Sequence, residues 1–231
     1  LNVEDHPLEP RFALQANAAD GVKLSADGHD ISFTAAGLSG AKAEITGTDR
    51  DTVLYRNVQS GVDLQYEVQT DGVKETFVLS KAPTAAPRWT WTLKAGTLTP
   101  KLEDDGTVIL TDTSGATVMH IPTPVAWDSS GMAGKSSDTV VNPKVTLEQS
   151  ADGVWRYAVS ADPAWLSAKD RVYPVFVDPT VQVGASYIKS FKSDGAVFSG
   201  QSHTGNTRQS NQNVYWRAVS SFNYGGIPGN F

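Results

Sequence analysis

Histidines, paired acids and aromatic residues are the groups here that could do chemistry, and each makes a different demand on its surroundings. The four histidines are His6, His29, His120 and His203, and none lies two or four residues from another, so no local metal pair forms. Nucleophilic catalysis of the Ser-His-Asp kind needs a histidine beside a serine held on a sharp turn, and no G-x-S-x-G occurs. His120, between Met119 and Ile121, is expected to face away from those two apolar neighbours. All four histidines are read as structural, and no catalytic residue, cofactor site or metal site is assigned.

Carboxylates come close together at Asp49 and Asp51, and again at Glu103, Asp104 and Asp105. A glycosidase needs two such groups facing each other across a groove, whereas Asp104-Asp105-Gly106 is also the composition of a hairpin turn. Asp49 and Asp51 are hard oxygen ligands of the kind calcium takes, but the spacing of a full calcium loop is missing, so a turn is expected there. Lys74 and Glu75 are adjacent on an alternating segment and point to opposite faces. An ion pair made by either is expected to contribute little at the surface.

Six tryptophans raise the question of sugar stacking, since an exposed aromatic face can carry a carbohydrate ring. Trp89 and Trp91 share one strand face, as do Trp155 and Tyr157, and that alternation suits the core of a sandwich. Trp127, Tyr215 and Trp216 stand beside polar or loop-like sequence and are the candidate glycan contacts.

The elements that must position these groups are short strands. Val22 and Leu24, then Ile31 and Phe33, flank Ala26-Asp27-Gly28. Leu64, Tyr66 and Val68 lead through Asp71-Gly72 to Glu75, Phe77 and Leu79, the clearest hairpin in the chain. Turns at Asp105-Gly106, Ser114-Gly115 and Asp152-Gly153 separate further alternating runs. Repeated turns of this kind predict an all-β, antiparallel β-sandwich fold. One exception is a helical turn near residues 162–168, capped by Asp162, with Pro163 in first position and Trp165 and Leu166 buried. Tyr173 to Pro179 reads as a last strand closing a domain. Residues 193–213, rich in Ser, Gly, Asn and Gln, read as a loop, and apolar character returns at Val214-Tyr215-Trp216 and Phe222. The expected organisation is a sandwich over 1–181, then a linker and the incomplete start of a second β domain over 182–231.

With 231 residues the chain can bury a substantial core, and its formal charge of −6 carries no Lys/Arg stripe. That argues against a nucleic-acid partner. Absence of cysteine excludes a disulfide scaffold or a thiolate site. No apolar run reaches the roughly 20 residues of a membrane span. The start at Leu1 and the ending Gly229-Asn230-Phe231 suggest a fragment of something longer.

A set of motifs in fixed order carries a resemblance. Tyr55-Arg56-Asn57-Val58-Gln59-Ser60-Gly61-Val62-Asp63-Leu64 precedes Asp71-Gly72-Val73-Lys74-Glu75-Thr76-Phe77-Val78-Leu79. Ile121-Pro122-Thr123-Pro124 with Trp127-Asp128 follows, then Ala164-Trp165-Leu166, then Arg171-Val172-Tyr173-Pro174-Val175 with Val177-Asp178-Pro179-Thr180. Over residues 50–181 the chain resembles the N-terminal β-rich region of large secreted actinobacterial polypeptides. Those polypeptides carry DNRLRE domains and RHS (YD) repeats and are wall-associated or polymorphic toxins. Residues 185–231, with Tyr187-Ile188, Tyr215-Trp216-Arg217 and Ser221-Phe222, resemble the start of a DNRLRE-type sandwich.

The resemblance implies a secreted or cell-surface location and a structural or interaction module without enzymatic activity. Its expected partners are the downstream domains of the same polypeptide or another fragment of it. A carbohydrate-binding module for cell-wall polysaccharide is the alternative.

Overall fold

The computed structural model describes residues 1–3, 6–19, 21–69, 72–84, 87–130, 140–182, 187–192, 197–199, 205–209 and 212–221, and beyond Gln182 a side chain only at Arg217. The chain forms two compact units, Leu1–Val183 and Gly184–Phe231. The all-β expectation holds: the described elements are antiparallel strands and one helical turn.

The first unit opens with β1 (Arg11–Phe12), β2 (Val22–Ala26), β3 (His29–Ala35) and β4 (Ala43–Thr46). Three long strands follow, β5 (Thr52–Gln59), β6 (Val62–Gln69) and β7 (Gly72–Leu79), then β8 (Arg88–Lys94). Shorter ones are β9 (Thr99–Leu102), β10 (Val108–Thr111), β11 (Thr117–Ile121), β12 (Val125–Trp127) and β13 (Val140–Val141). The unit ends with β14 (Lys144–Ala151), β15 (Val154–Ser160), α1 (Pro163–Leu166), β16 (Val175–Asp178) and β17 (Val181–Gln182). In the second unit lie β18 (Tyr187–Lys192), β19 (Val197–Ser199), β20 (Gly205–Gln209) and β21 (Gln212–Ser221).

Two sheets build the first unit. The smaller runs β1-β2-β3-β8-β15-β14. The larger runs β13-β12-β16-β7-β17-β11-β10-β9, with β6, β5 and β4 continuing from the other side of β7. Alternation decides which side chains turn inward. Trp89, Trp91 and Leu93 of β8 are all buried, and Val73, Phe77 and Leu79 of β7 face them from the other sheet. Phe77 stacks on Trp89 with centroids 5.2 Å apart and meets Trp91 edge-on at 5.8 Å, so aromatic rings join the sheets.

Turn chemistry follows the sequence. Between β2 and β3 both loop residues, Asp27 and Gly28, have positive φ, which a two-residue type I′ hairpin requires. Asp162 accepts a hydrogen bond from Ala164 N at 2.9 Å and so caps α1, with Pro163 in the first turn. Leu166 is buried as expected, but Trp165 is only half-buried: it packs against the core and carries the Arg171 guanidinium over its ring. Trp155 likewise packs against the core while remaining half-buried, and Tyr157 is fully buried.

Strands β16 and β17 are two halves of one extended segment. β16 pairs Val177 with Phe77 and β17 pairs Val181 with Val73, so the register against β7 is unbroken. Pro179, which has no N–H, interrupts the ladder across from Glu75. On its other side the segment pairs with β12 through Val125↔Asp178 and with β11 through His120↔Gln182. Ile121-Pro122-Thr123-Pro124 bends the chain between those two strands, β11 and β12.

The second unit is a four-stranded sheet, β19-β18-β21-β20. The expectation of a loop over 193–213 needs correction there, since Val197–Ser199 and Gly205–Gln209 are strands. Backbone pairing of Thr207 with Val214 and Arg208 with Asn213 needs no apolar side chain, so a polar composition does not prevent it. Thr70, Asp71, residues 193–196, 200–204 and 222–231 lie outside the described residues, and with them His203, Phe222 and part of the Asp71-Gly72 turn.

Candidate functional site

The middle of β7 gathers the unusual chemistry of the first unit. Strict alternation puts Glu75 in phase with Val73, Phe77 and Leu79, and the side chain is carried into the interior, leaving the residue 4% exposed. The surface role expected for Glu75 is therefore corrected: its neighbours in phase are all core residues. Trp91 Nε1 donates to Glu75 Oε1 at 2.9 Å, and the Tyr66 hydroxyl donates to the same oxygen at 3.2 Å. Among the described residues no salt bridge reaches it. Burial pushes the Glu75 carboxyl up to about 8, against the two hydrogen bonds, and the nearby Asp178 charge adds to the rise. Burial, then the Glu75 charge, also holds the Tyr66 and Tyr157 hydroxyls well above the usual phenol range. Among the described residues, the Tyr157 hydroxyl and Thr76 Oγ1 are buried with no hydrogen-bond partner.

On the opposite face of β7, Lys74 makes the contact its alternation allows. Its ammonium lies 3.8 Å from Asp178 Oδ2 on β16 and 5.0 Å from the centre of the Trp127 ring on β12. Trp127 stacks on Phe176, centroids 5.2 Å apart and planes 17° from parallel. The other carboxylate oxygen, Asp178 Oδ1, accepts from Thr180 N at 2.9 Å and from the Thr180 hydroxyl. Burial raises the Asp178 carboxyl, with the Thr180 hydrogen bond and Lys74 acting against it. This ion pair is sheltered, unlike the exposed one the sequence suggested.

A third cluster ties α1 to the sheet. Arg171 Nη1 lies 2.8 Å from Asp128 Oδ2, and both side chains are almost wholly buried. Ser130 Oγ donates to the same oxygen at 2.8 Å, and Ser130 N donates to Oδ1 at 3.1 Å. Arg171 Nε donates to the Trp165 carbonyl at 2.9 Å while the guanidinium lies 4.0 Å from the centre of that indole. The Tyr173 hydroxyl donates to the Leu166 carbonyl at 2.9 Å, and Ser129 Oγ to the Pro174 carbonyl at 2.6 Å. Trp127-Asp128, Trp165-Leu166, Arg171 to Pro174 and Asp178 to Thr180 are far apart in sequence. Folding brings them together around β12, α1 and β16.

Of the candidate glycan contacts, Trp127 is half-buried between its neighbours as described. Tyr215 and Trp216 lie on β21, across from Asn206 and from Gly205 and Lys192, and their side chains are outside the described residues. His6 donates through Nε2 to the Gln69 carbonyl at 2.6 Å and accepts from Leu8 N, which locks the N-terminal segment onto β6. His29 Nδ1 meets Thr97 Oγ1 at 2.8 Å. His120 is half-buried between fully buried Met119 and Ile121, as alternation predicts. Asp49 and Asp51 sit in the turn joining β4 and β5, and Asp104-Asp105-Gly106 turns β9 into β10 with Gly106 N donating to the Glu103 carbonyl. Sequence reading missed the Asp128–Arg171 pair, which no local spacing signals. It also missed the inward Glu75, which the period of β7 does signal.

No family model matches the chain. No solved structure matches it. Among curated proteins it is similar to "tRNA nuclease WapA" of Bacillus subtilis strain 168, 30% identical over 141 residues. It is equally similar to "tRNA(Glu)-specific nuclease WapA" of Bacillus subtilis subsp. natto and to "tRNA3(Ser)-specific nuclease WapA" of Bacillus spizizenii. The matched segment covers 60% of this chain and 6% of each relative, so the chain spans a small part of their length. Two expectations are corrected by these relatives. The likeness to actinobacterial DNRLRE-domain polypeptides gives way to one with Bacillus proteins whose names carry no such domain. The expectation of no enzymatic activity gives way as well, because the proteins this chain is similar to are named as nucleases acting on tRNA.

Proposed function

We propose that this chain is a β-sandwich segment of a large exported, toxin-like polypeptide with nuclease activity toward tRNA. In that setting the segment packs against or displays the other domains of the polypeptide at the cell surface. The observation that carries the reading is the combination of a continuous core in the first unit with a match to only 6% of each nuclease relative. A segment of that size with its own interior is built to hold its shape while larger neighbours are attached to it. Among the described residues no helix is long and apolar enough to cross a membrane, which is compatible with export.

Limited proteolysis of the parent polypeptide tests the reading. Residues 1–183 are expected to survive as one resistant block, and the isolated chain is expected to bind the remaining polypeptide in a pull-down. Rapid cleavage inside the block, or no association with any other part of the polypeptide, would refute it. A second reading, contact with wall polysaccharide, rests on the partly accessible indole of Trp127 beside Phe176. Affinity electrophoresis in wall polysaccharide checks it. Retardation of the native chain that Trp127→Ala removes is the expected result, and unchanged mobility of the native chain would end it.

A further inference from the structure

The outer face of β7 arranges an amine, a carboxyl group and a pair of hydrogen-bond donors in the order an acyl transfer needs. Lys74 Nζ stands 3.8 Å from Asp178 Oδ2, and the two side chains are 27% and 16% exposed. On the far side of the same carboxyl, Thr180 N and the Thr180 hydroxyl both donate to Oδ1. One oxygen is thus held by donors in the manner of an oxyanion hole, while the other faces the amine. Trp127 lies over the lysine and limits its access to water. Glu67 of β6 is directly across the ladder from Lys74, and its charge reaches Asp178.

We propose that Lys74 and Asp178 condense into an intramolecular isopeptide bond that joins β7 to β16. A proton passes from the Lys74 ammonium to Asp178 Oδ2, leaving a neutral amine and a neutral carboxylic acid. The nitrogen lone pair then attacks Asp178 Cγ, and the carbonyl π pair moves onto Oδ1, where the two Thr180 donors stabilise it. Glu67 carries a second proton from the attacking nitrogen to Oδ2. The Cγ–Oδ2 bond breaks, water leaves, the pair on Oδ1 reforms the carbonyl, and one hydrogen stays on the new amide nitrogen. Ammonium plus carboxylate becomes amide plus water, with no oxidant, reductant or net proton required. The condensation is unfavourable between free groups in water, but fixed proximity replaces a bimolecular encounter. Burial, which already raises the Asp178 carboxyl, favours the neutral pair that reacts.

Intact mass spectrometry of the purified full chain tests this directly. The expected mass is lower by one water than the sequence requires, and proteolysis is expected to yield a branched peptide joining the segments around Lys74 and Asp178. Lys74→Arg keeps the positive charge but lacks a nucleophilic amine, so its mass is expected to equal that of its sequence. Asp178 cannot lose water by closing on the next backbone nitrogen, because that nitrogen belongs to Pro179. An unmodified wild-type mass after prolonged incubation would overturn the proposal. So would a water loss that persists in Lys74→Arg, or one that maps to a different peptide.

Discussion

Replacing Glu75 by glutamine isolates the energetic consequence of an acid buried between two sheets. In the folded chain the carboxyl titrates near 8, against an ordinary value of 4.5. Below that ordinary value both folded and unfolded chains hold the proton, and the stabilising difference is fully present. As pH rises toward 8 the unfolded chain releases a proton that the folded chain retains, so stability must fall. The slope is about 1.4 kcal/mol per pH unit, and the whole window is worth on the order of 5 kcal/mol. With a urea dependence of about 2 kcal/mol per molar, the unfolding midpoint of the native chain should drop by about 2 M between pH of about 5 and about 8. The amide of the variant would keep an oxygen to accept from Trp91 and Tyr66 but cannot ionise. Glu75→Gln should therefore lose most of this slope and become the more stable form near pH 8. Urea titrations followed by near-ultraviolet circular dichroism, which reports the packed rings around Trp91, supply the measurement. A native chain whose midpoint is flat across this window would refute the reasoning, as would a glutamine variant that keeps the full slope.

Two other substitutions probe the joints around that core. Arg171→Met leaves Asp128 buried without its cation and should cost about 3–5 kcal/mol in urea unfolding, whereas Asp128→Asn with Arg171→Met should recover part of that loss. Removing the cap with Asp162→Ala should cost about 1 kcal/mol in the same titration and leave the near-ultraviolet spectrum unchanged.

Much of the architecture is legible because β-strands write their environment into sequence with a period of two. The inward rows Trp89-Trp91-Leu93 and Phe77-Leu79, the Asp27-Gly28 hairpin and the Asp162-Pro163 start of α1 all follow from local rules. Glu75 is legible from its phase on β7, although its residue type argues for the surface. Its burial depends on Trp91 and Tyr66, whose donors converge on one carboxylate oxygen only after folding. Asp128 and Arg171 are 43 residues apart, and nothing in their local sequence marks them as partners. The polar run that forms β20 is opaque for a related reason, since backbone hydrogen bonds hold such a strand and leave little trace in hydropathy, whereas Val197-Phe198 of β19 does carry an apolar signal.

The position of the segment Val175–Gln182 governs the order in which the first unit can assemble. It is the last part of that unit to be synthesised, yet it inserts between β7 on one side and β11 with β12 on the other. Until it emerges, the larger sheet exists as three separate pieces, β4 to β7, β9 to β11 and β12 with β13, each with an open edge where the missing strand belongs. A chain leaving a ribosome or threading through an export channel would thus stay unlocked until its final stretch arrived. Completion of the sandwich would then come as a single late event, dependent on pairings distant in sequence and correspondingly slow.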